Sequence, residues 1–129
     1  MHKIICVLLY LLIMGCDSAG GSFKGKEFIL INAYPDSEIT IGFAENENRF
    51  FGKAVNRYFG TYAADNGRMT LGQVGSTLMM GPPRQMRDEA DFFALLPAVR
   101  TYRMEGGTLI LTLGDGQEWI FKPRPPHAR

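Results

Sequence analysis

The chain is poor in the residue types that carry most hydrolytic and metal chemistry. It has two histidines, His2 and His127, one at each extremity, so the body lacks imidazole, the commonest general base and a frequent metal ligand. That removes Ser-His-Asp and Cys-His mechanisms and most zinc sites. The two cysteines, Cys6 and Cys16, both lie before the body, so no pair remains there to form a disulfide or a zinc site. Without Lys3 the 14 basic residues become 13, against 13 acidic ones. This balance leaves no cationic surplus for phosphates and speaks against a nucleic-acid role. No apolar run approaches the roughly 20 residues of a membrane-spanning helix. At 129 residues the chain has room for one domain, and its 46% hydrophobic and 21% charged residues are a globular composition able to build a core.

The amino terminus is patterned. Lys3 gives a positive start, and Ile4 to Met14 is an apolar run ending at Gly15 and Cys16. Too short to span a bilayer, this run reads as an export signal over residues 1–15. Leu12 to Cys16 resembles a bacterial lipobox, in which a small residue precedes a cysteine that is acylated before cleavage; Ile13 and Gly15 suit that pattern. The reading implies cleavage between Gly15 and Cys16, lipidation of Cys16, and a mature protein anchored to a membrane without crossing it, because two or three acyl chains hold durably where one does not. Asp17 follows the cysteine, a placing that in lipoprotein signals of Gram-negative envelopes leans towards inner-membrane retention. Residues 16–22 are small and polar, as in a tether, and the domain is expected over 23–122.

Within the body, apolar residues alternate with period two between turn signals, the mark of short antiparallel strands. Strands are expected over Phe28 to Ala33, Ile39 to Phe43, Arg49 to Ala54, Arg68 to Leu71, Val99 to Met104, Thr108 to Leu113 and Glu118 to Phe121. Asn66-Gly67, Gly106-Gly107 and Gly114-Asp115-Gly116 supply residues that tolerate positive φ in tight turns. One helix is expected over 83–96, opened by Pro82-Pro83 and stopped by Pro97. Its apolar stripe would hold Met86, Ala90 and Phe93, widened by Phe92 and Leu96, with Arg87, Asp88 and Asp91 outward. The whole predicts a mainly β (α+β) fold, a small antiparallel barrel or rolled sheet of about seven or eight strands with one packed helix, and a disordered tail over 123–129.

Candidate chemistry is sparse. Asp88, Glu89 and Asp91 could form a carboxylate pair of the glycosidase kind, but at helical spacing they read as a solvated face. Asp65-Asn66-Gly67 and Gly114-Asp115-Gly116 lack the alternating ligands of a calcium loop and the Lys-Ser/Thr of a phosphate loop. Met79-Met80 would place one side chain inward and one outward, and core filling is the expected role.

Three segments in order, Ala54 to Tyr62, Ser76 to Pro82, and Glu89 through Leu111 with Phe92, Phe93, Leu96 and Tyr102 to Gly106, resemble the META-domain family, the small domain of HslJ-like envelope lipoproteins. The likeness covers about Phe23 to Lys122. Many members carry two cysteines, thought to pair, where this chain has Val55 and Gly81, so both are missing together and a redox role is argued against. The resemblance implies a compact antiparallel sheet with one helix, and envelope association with stress or antibiotic tolerance, without a known reaction or cofactor. Its motif positions are Asn56, Arg57, Gly60, Tyr62, Thr77, Met79, Met80, Gly81, Glu89 and Phe93. Gly60 and Gly81 are expected to permit turns, and Asn56 to bridge backbone groups at a strand end. Arg57 and Tyr62 either brace the barrel or line a shallow groove. The function expected is a non-enzymatic lipoprotein with a structural or interaction role and an envelope protein as partner. The rival is a binding module for a hydrophobic ligand or peptide in a barrel cleft, and a hydrolase is the weakest.

Overall fold

The computed structural model describes residues 22–125. The expected signal, Gly15, Cys16, Asp17 and the last four residues lie outside the described residues. Among the described residues nine strands and one helix follow in the order β1 (Glu27–Leu30), β2 (Thr40–Phe43), β3 (Arg49–Lys53), β4 (Arg57–Asp65), β5 (Arg68–Leu71), β6 (Gly75–Ser76), α1 (Pro83–Leu95), a 3-10 turn (Leu96–Ala98), β7 (Val99–Glu105), β8 (Thr108–Leu113) and β9 (Glu118–Pro123). The sheet runs β3-β2-β1-β9-β8-β7-β5-β4, and the β3–β4 ladder closes it into an eight-stranded antiparallel barrel, with β6 appended to β4. Closure removes the free edges that an open sheet would expose.

The turn chemistry follows the residues that allow it. Asn66 and Gly67 (φ 56° and 85°) join β4 to β5, and Gly106 and Gly107 (φ 56° and 86°) join β7 to β8. Both are two-residue hairpins with positive φ at each central position, whose twist matches the strands they connect.

Inward side chains fill the barrel. Trp119, Tyr58, Phe28, Phe43, Phe50 and Phe121 are all fully buried, with Ile39, Ile41, Met69 and Leu109 between them. Phe23 closes one end, its ring 4.6 Å from Phe43, 5.7 Å from Tyr62 and 5.1 Å from Tyr102. Phe92 of α1 closes the other, 5.8 Å from Tyr58 and 5.0 Å from Trp119. Across that end the Tyr58 hydroxyl donates to the Thr40 carbonyl at 2.6 Å, in space left by Gly52, where a Cβ would lie 2.5 Å from the hydroxyl.

Burial raises the Tyr58 pKa well above its ordinary value. The folded chain keeps this proton when an unfolded tyrosine gives it up near pH 10. Its contribution to stability is therefore whole below pH 10 and lost above it, by about 1.4 kcal/mol for each further pH unit. Denaturant midpoints followed from pH 8 to 11 should show this slope, and Tyr58→Phe should make it shallower by the share of one tyrosine. Parallel alkaline losses in the two proteins would assign the effect elsewhere.

Several boundaries differ from the sequence expectation. β1 stops at Leu30, because the Asn32 side chain takes over the pairing: its amide donates to the Glu118 carbonyl and its oxygen accepts from the Ile120 N–H, both at 2.9 Å. β9 takes in Pro123, and the Arg124 amide donates to the Glu27 carbonyl, so pairing enters the segment expected to be disordered. Proline is tolerated there because the ladder to β8 has ended at Phe121. β4, the longest strand, and β6 escape the alternation pattern, since the outer face of β4 carries Phe59 and its inner face Gly60.

The inner face of the helix is centred on Glu89, Phe92 and Leu96, all buried, while Ala90 is exposed and Met86 and Phe93 lie half-buried at its flanks. Asp88 and Asp91 accept hydrogen bonds from Ser37 (2.7 Å) and Tyr34, tying the helix to the β1–β2 loop. Arg87 and Asp91 keep the exposed place expected of them, and Asp88 is half-buried.

Candidate functional site

Glu89 is the departure that defines the site. A carboxylate in the middle of a helix's inner face needs donors, and Asn56, in the tight β3–β4 connection, provides them. Asn56 is 3% exposed and Glu89 6%. The Asn56 backbone N–H donates to Glu89 Oε2 at 2.6 Å, and its side-chain Nδ2 donates to Oε1 at 3.0 Å.

The rest of the Asn56 amide turns to the segment after β6. Its Oδ1 accepts from the Met79 N–H at 2.6 Å and from the Thr77 hydroxyl at 2.9 Å, while Nδ2 reaches the Met79 carbonyl at 3.2 Å. A carboxamide presents the same donor and acceptor as a peptide group, so Asn56 pairs with Met79 as a neighbouring strand would. The Thr77 amide adds a bond to the Arg57 carbonyl at 3.1 Å. Helix, hairpin and connecting segment are thus joined through one side chain.

The consequence is a backbone held from inside with its side chains outside. Leu78, Met79 and Met80 are 94%, 66% and 88% exposed. The expectation that the methionine pair fills the core is corrected: clamping at Met79 takes the segment out of the sheet's alternation, and both side chains leave the interior.

The other motif positions separate. Tyr62 is buried, its ring 5.3 Å from Phe43, and so braces the barrel. Among the described residues its hydroxyl has no partner, and burial raises its pKa. Arg57 is exposed on the outer face of β4, directly opposite Lys53. Phe93 packs 5.3 Å from the Tyr58 ring.

Gly60 and Gly81 are not turn residues. Neither has positive φ, and each marks a close approach: a Cβ on Gly60 would lie 2.9 Å from the Phe50 ring, and one on Gly81 2.7 Å from Val55 Cγ1. Among the described residues no three metal-ligating side chains converge, and no helix is long and apolar enough to cross a membrane. Leu78 was not legible as a site residue, because an isolated leucine between Thr77 and Met79 carries no signal until Asn56 is known to pin its neighbour.

A family model described as the META domain matches residues 21–126. Two solved structures share the fold. An NMR structure of a protein from Burkholderia xenovorans has a TM-score of 0.64 and 19% identity, over 79% of this chain and 83% of that one. A second NMR structure has a TM-score of 0.57 and 20% identity, over 75% of this chain and 87% of the other. At such identities the likeness concerns the fold alone. No curated protein sequence matches the chain.

Proposed function

The chain belongs to the META-domain family, and from that premise we propose that it is a lipid-anchored, non-enzymatic envelope protein that engages another envelope protein through the Leu78–Met80 segment. The observation that carries this reading is the pinned, outward-facing apolar segment. Three consecutive exposed apolar side chains are unfavourable in water, and a buried Asn56–Glu89 pair that holds their backbone rigid reduces the entropy lost when they dock. A partner offering an apolar groove would cover Leu78 and Met80.

The barrel interior is taken up by aromatic side chains. A hydrophobic ligand inside it therefore finds no room, and the surface is left as the place of contact. The anchor rests on the sequence Leu12 to Cys16: acylation at Cys16 would hold the domain by a short tether on the outer side of a membrane, with Asp17 favouring the inner membrane. The role in envelope stress or antibiotic tolerance comes from the family resemblance.

Expression of the chain and of Cys16→Ser in a bacterial host tests the anchor. The wild type should fractionate with membranes and carry the mass of its acyl groups, and the mutant should do neither. Equal masses and equal solubility would end the anchored reading. A photo-crosslinking side chain at position 80 should then give a discrete adduct that the same group at exposed Glu105 does not. Identical patterns from the two positions would remove the segment as a docking site.

A further inference from the structure

The outer face of β2, β3 and β4 carries a second feature that the packing of the barrel does not call for. Strand register sets Phe51 directly opposite Phe59, and Lys53 directly opposite Arg57. Neither ring stands out from the sheet. Phe51 leans over Gly42, where a Cβ would lie 2.6 Å from it, and Phe59 leans over Gly75, where a Cβ would lie 3.1 Å away. Two glycines thus let two aromatic rings lie along the surface, and Phe59 is still 49% exposed.

Cations surround the rings. The Arg49 guanidinium sits 5.7 Å from the Phe59 centroid. Like charges directly opposite across a ladder are unfavourable, yet Lys53 and Arg57 face one another, and neither makes an ion pair among the described residues. Two hollows, of about 1210 Å³ and 630 Å³, meet at Arg49 and Phe59. Lys26 and Arg124 add to the larger one, and among the described residues Glu27 and Glu47 are the only carboxylates lining it. From Arg49 to Lys53 the face spans about 13 Å, so its charge is spread along a trough and not gathered at one point.

We propose that this trough binds an acidic glycan, whose sugar rings stack on Phe51 and Phe59 and whose carboxylate or phosphate groups meet Arg49, Lys53 and Arg57. Charge complementarity makes the occupant anionic, the length of the trough makes it a chain, and the flat-lying rings suit stacking against a ring of the ligand. A bilayer surface would be met by side chains standing outward, and these lie down. The choice of a glycan over a nucleic acid rests on the export reading given above, since acidic polysaccharides are the linear polyanions abundant outside the cytoplasm.

Among the described residues every core residue falls within Phe23–Phe121, so the chain from Asp17 retains that core and needs no lipid for this measurement. Calorimetric titration with a galacturonate hexamer should give saturable binding that weakens with salt, against none with maltohexaose. Lys53→Ala with Arg57→Ala, and separately Phe59→Ala, should each weaken binding by about tenfold or more with the circular dichroism unchanged.

Absence of binding to the galacturonate hexamer overturns the proposal. So does binding indifferent to Phe59→Ala, which would leave charge alone, and so does stronger binding of oligothymidylate or of phosphatidylglycerol vesicles through the same residues. Because the protein titrated carries no lipid, these outcomes are independent of the Cys16→Ser fractionation. A failure here leaves the anchored reading standing, whereas failure of the export reading removes the ground for preferring a glycan to a nucleic acid, and the oligothymidylate titration then decides between them.

Discussion

Asn56→Ala should destabilise the domain by about 3–5 kcal/mol, the range expected when one partner of a buried hydrogen-bonded charge is removed. The Glu89 carboxylate would keep the backbone N–H of residue 56 and lose the side-chain donor on Oε1. The Met79 N–H, the Met79 carbonyl and the Thr77 hydroxyl would lose their partners at the same moment. For a domain of about this size each kcal/mol moves Tm by about 4–8 °C, so melting should fall by more than about 12 °C. The Met79 amide should also exchange with solvent far sooner, because nothing else pins it.

Glu89→Gln tests the same contact from the helix. The glutamine keeps the volume and can accept from the Asn56 backbone N–H, but its own amide then faces Asn56 Nδ2, donor against donor. A loss of about 1–3 kcal/mol is expected, smaller than for Asn56→Ala. Combining Asn56→Ala with Glu89→Ala should cost less than the sum of the two single changes, with a coupling of about 0.5–3 kcal/mol. If Asn56→Ala instead melts within a few degrees of the wild type, the network does not hold the Leu78–Met80 segment, and the docking reading loses its support.

The fold was legible because period-two alternation and turn chemistry both act locally. Asn66-Gly67 and Gly106-Gly107 accept the positive φ that a two-residue hairpin requires, and the strands on either side inherit their register from these turns. What was not legible depended on distant partners. Glu89 has the sequence signature of a solvated helical residue, and only Asn56, 33 positions away, makes an inner position tolerable for it.

Met79 and Met80 were misplaced for the same reason, since their exposure is set by a side chain on another hairpin. The inner face of α1 was shifted because its central position is a carboxylate, which a search for apolar stripes passes over. Phe51 and Phe59 were invisible as a pair until the β3–β4 register placed them opposite one another. The family resemblance named most of the motif positions, while their division into clamp, brace and surface came only from the contacts.

Replacing Val55 and Gly81 together by cysteine should stabilise the domain. A Cβ on Gly81 would lie 3.6 Å from Val55 Cβ, within the roughly 3.5–4.5 Å that a disulfide requires. The bridge would close a loop of about 26 residues, for which the chain-entropy relation gives about 3.5 kcal/mol. Each single change serves as a control. Gly81→Ala should cost about 1–3 kcal/mol by overpacking, because its methyl would meet Val55 Cγ1 at 2.7 Å. In the double cysteine variant that obstructing atom is replaced by the bonding one. Oxidised and reduced forms of Val55→Cys/Gly81→Cys should therefore melt well apart, with the reduced form at or below the wild type. If oxidation leaves Tm unchanged while free thiols disappear, the bridge has formed at a strain that cancels its gain. The close approach of Val55 and Gly81 would then not be the relaxed geometry in which a pair of family cysteines could be exchanged for valine and glycine without moving the backbone.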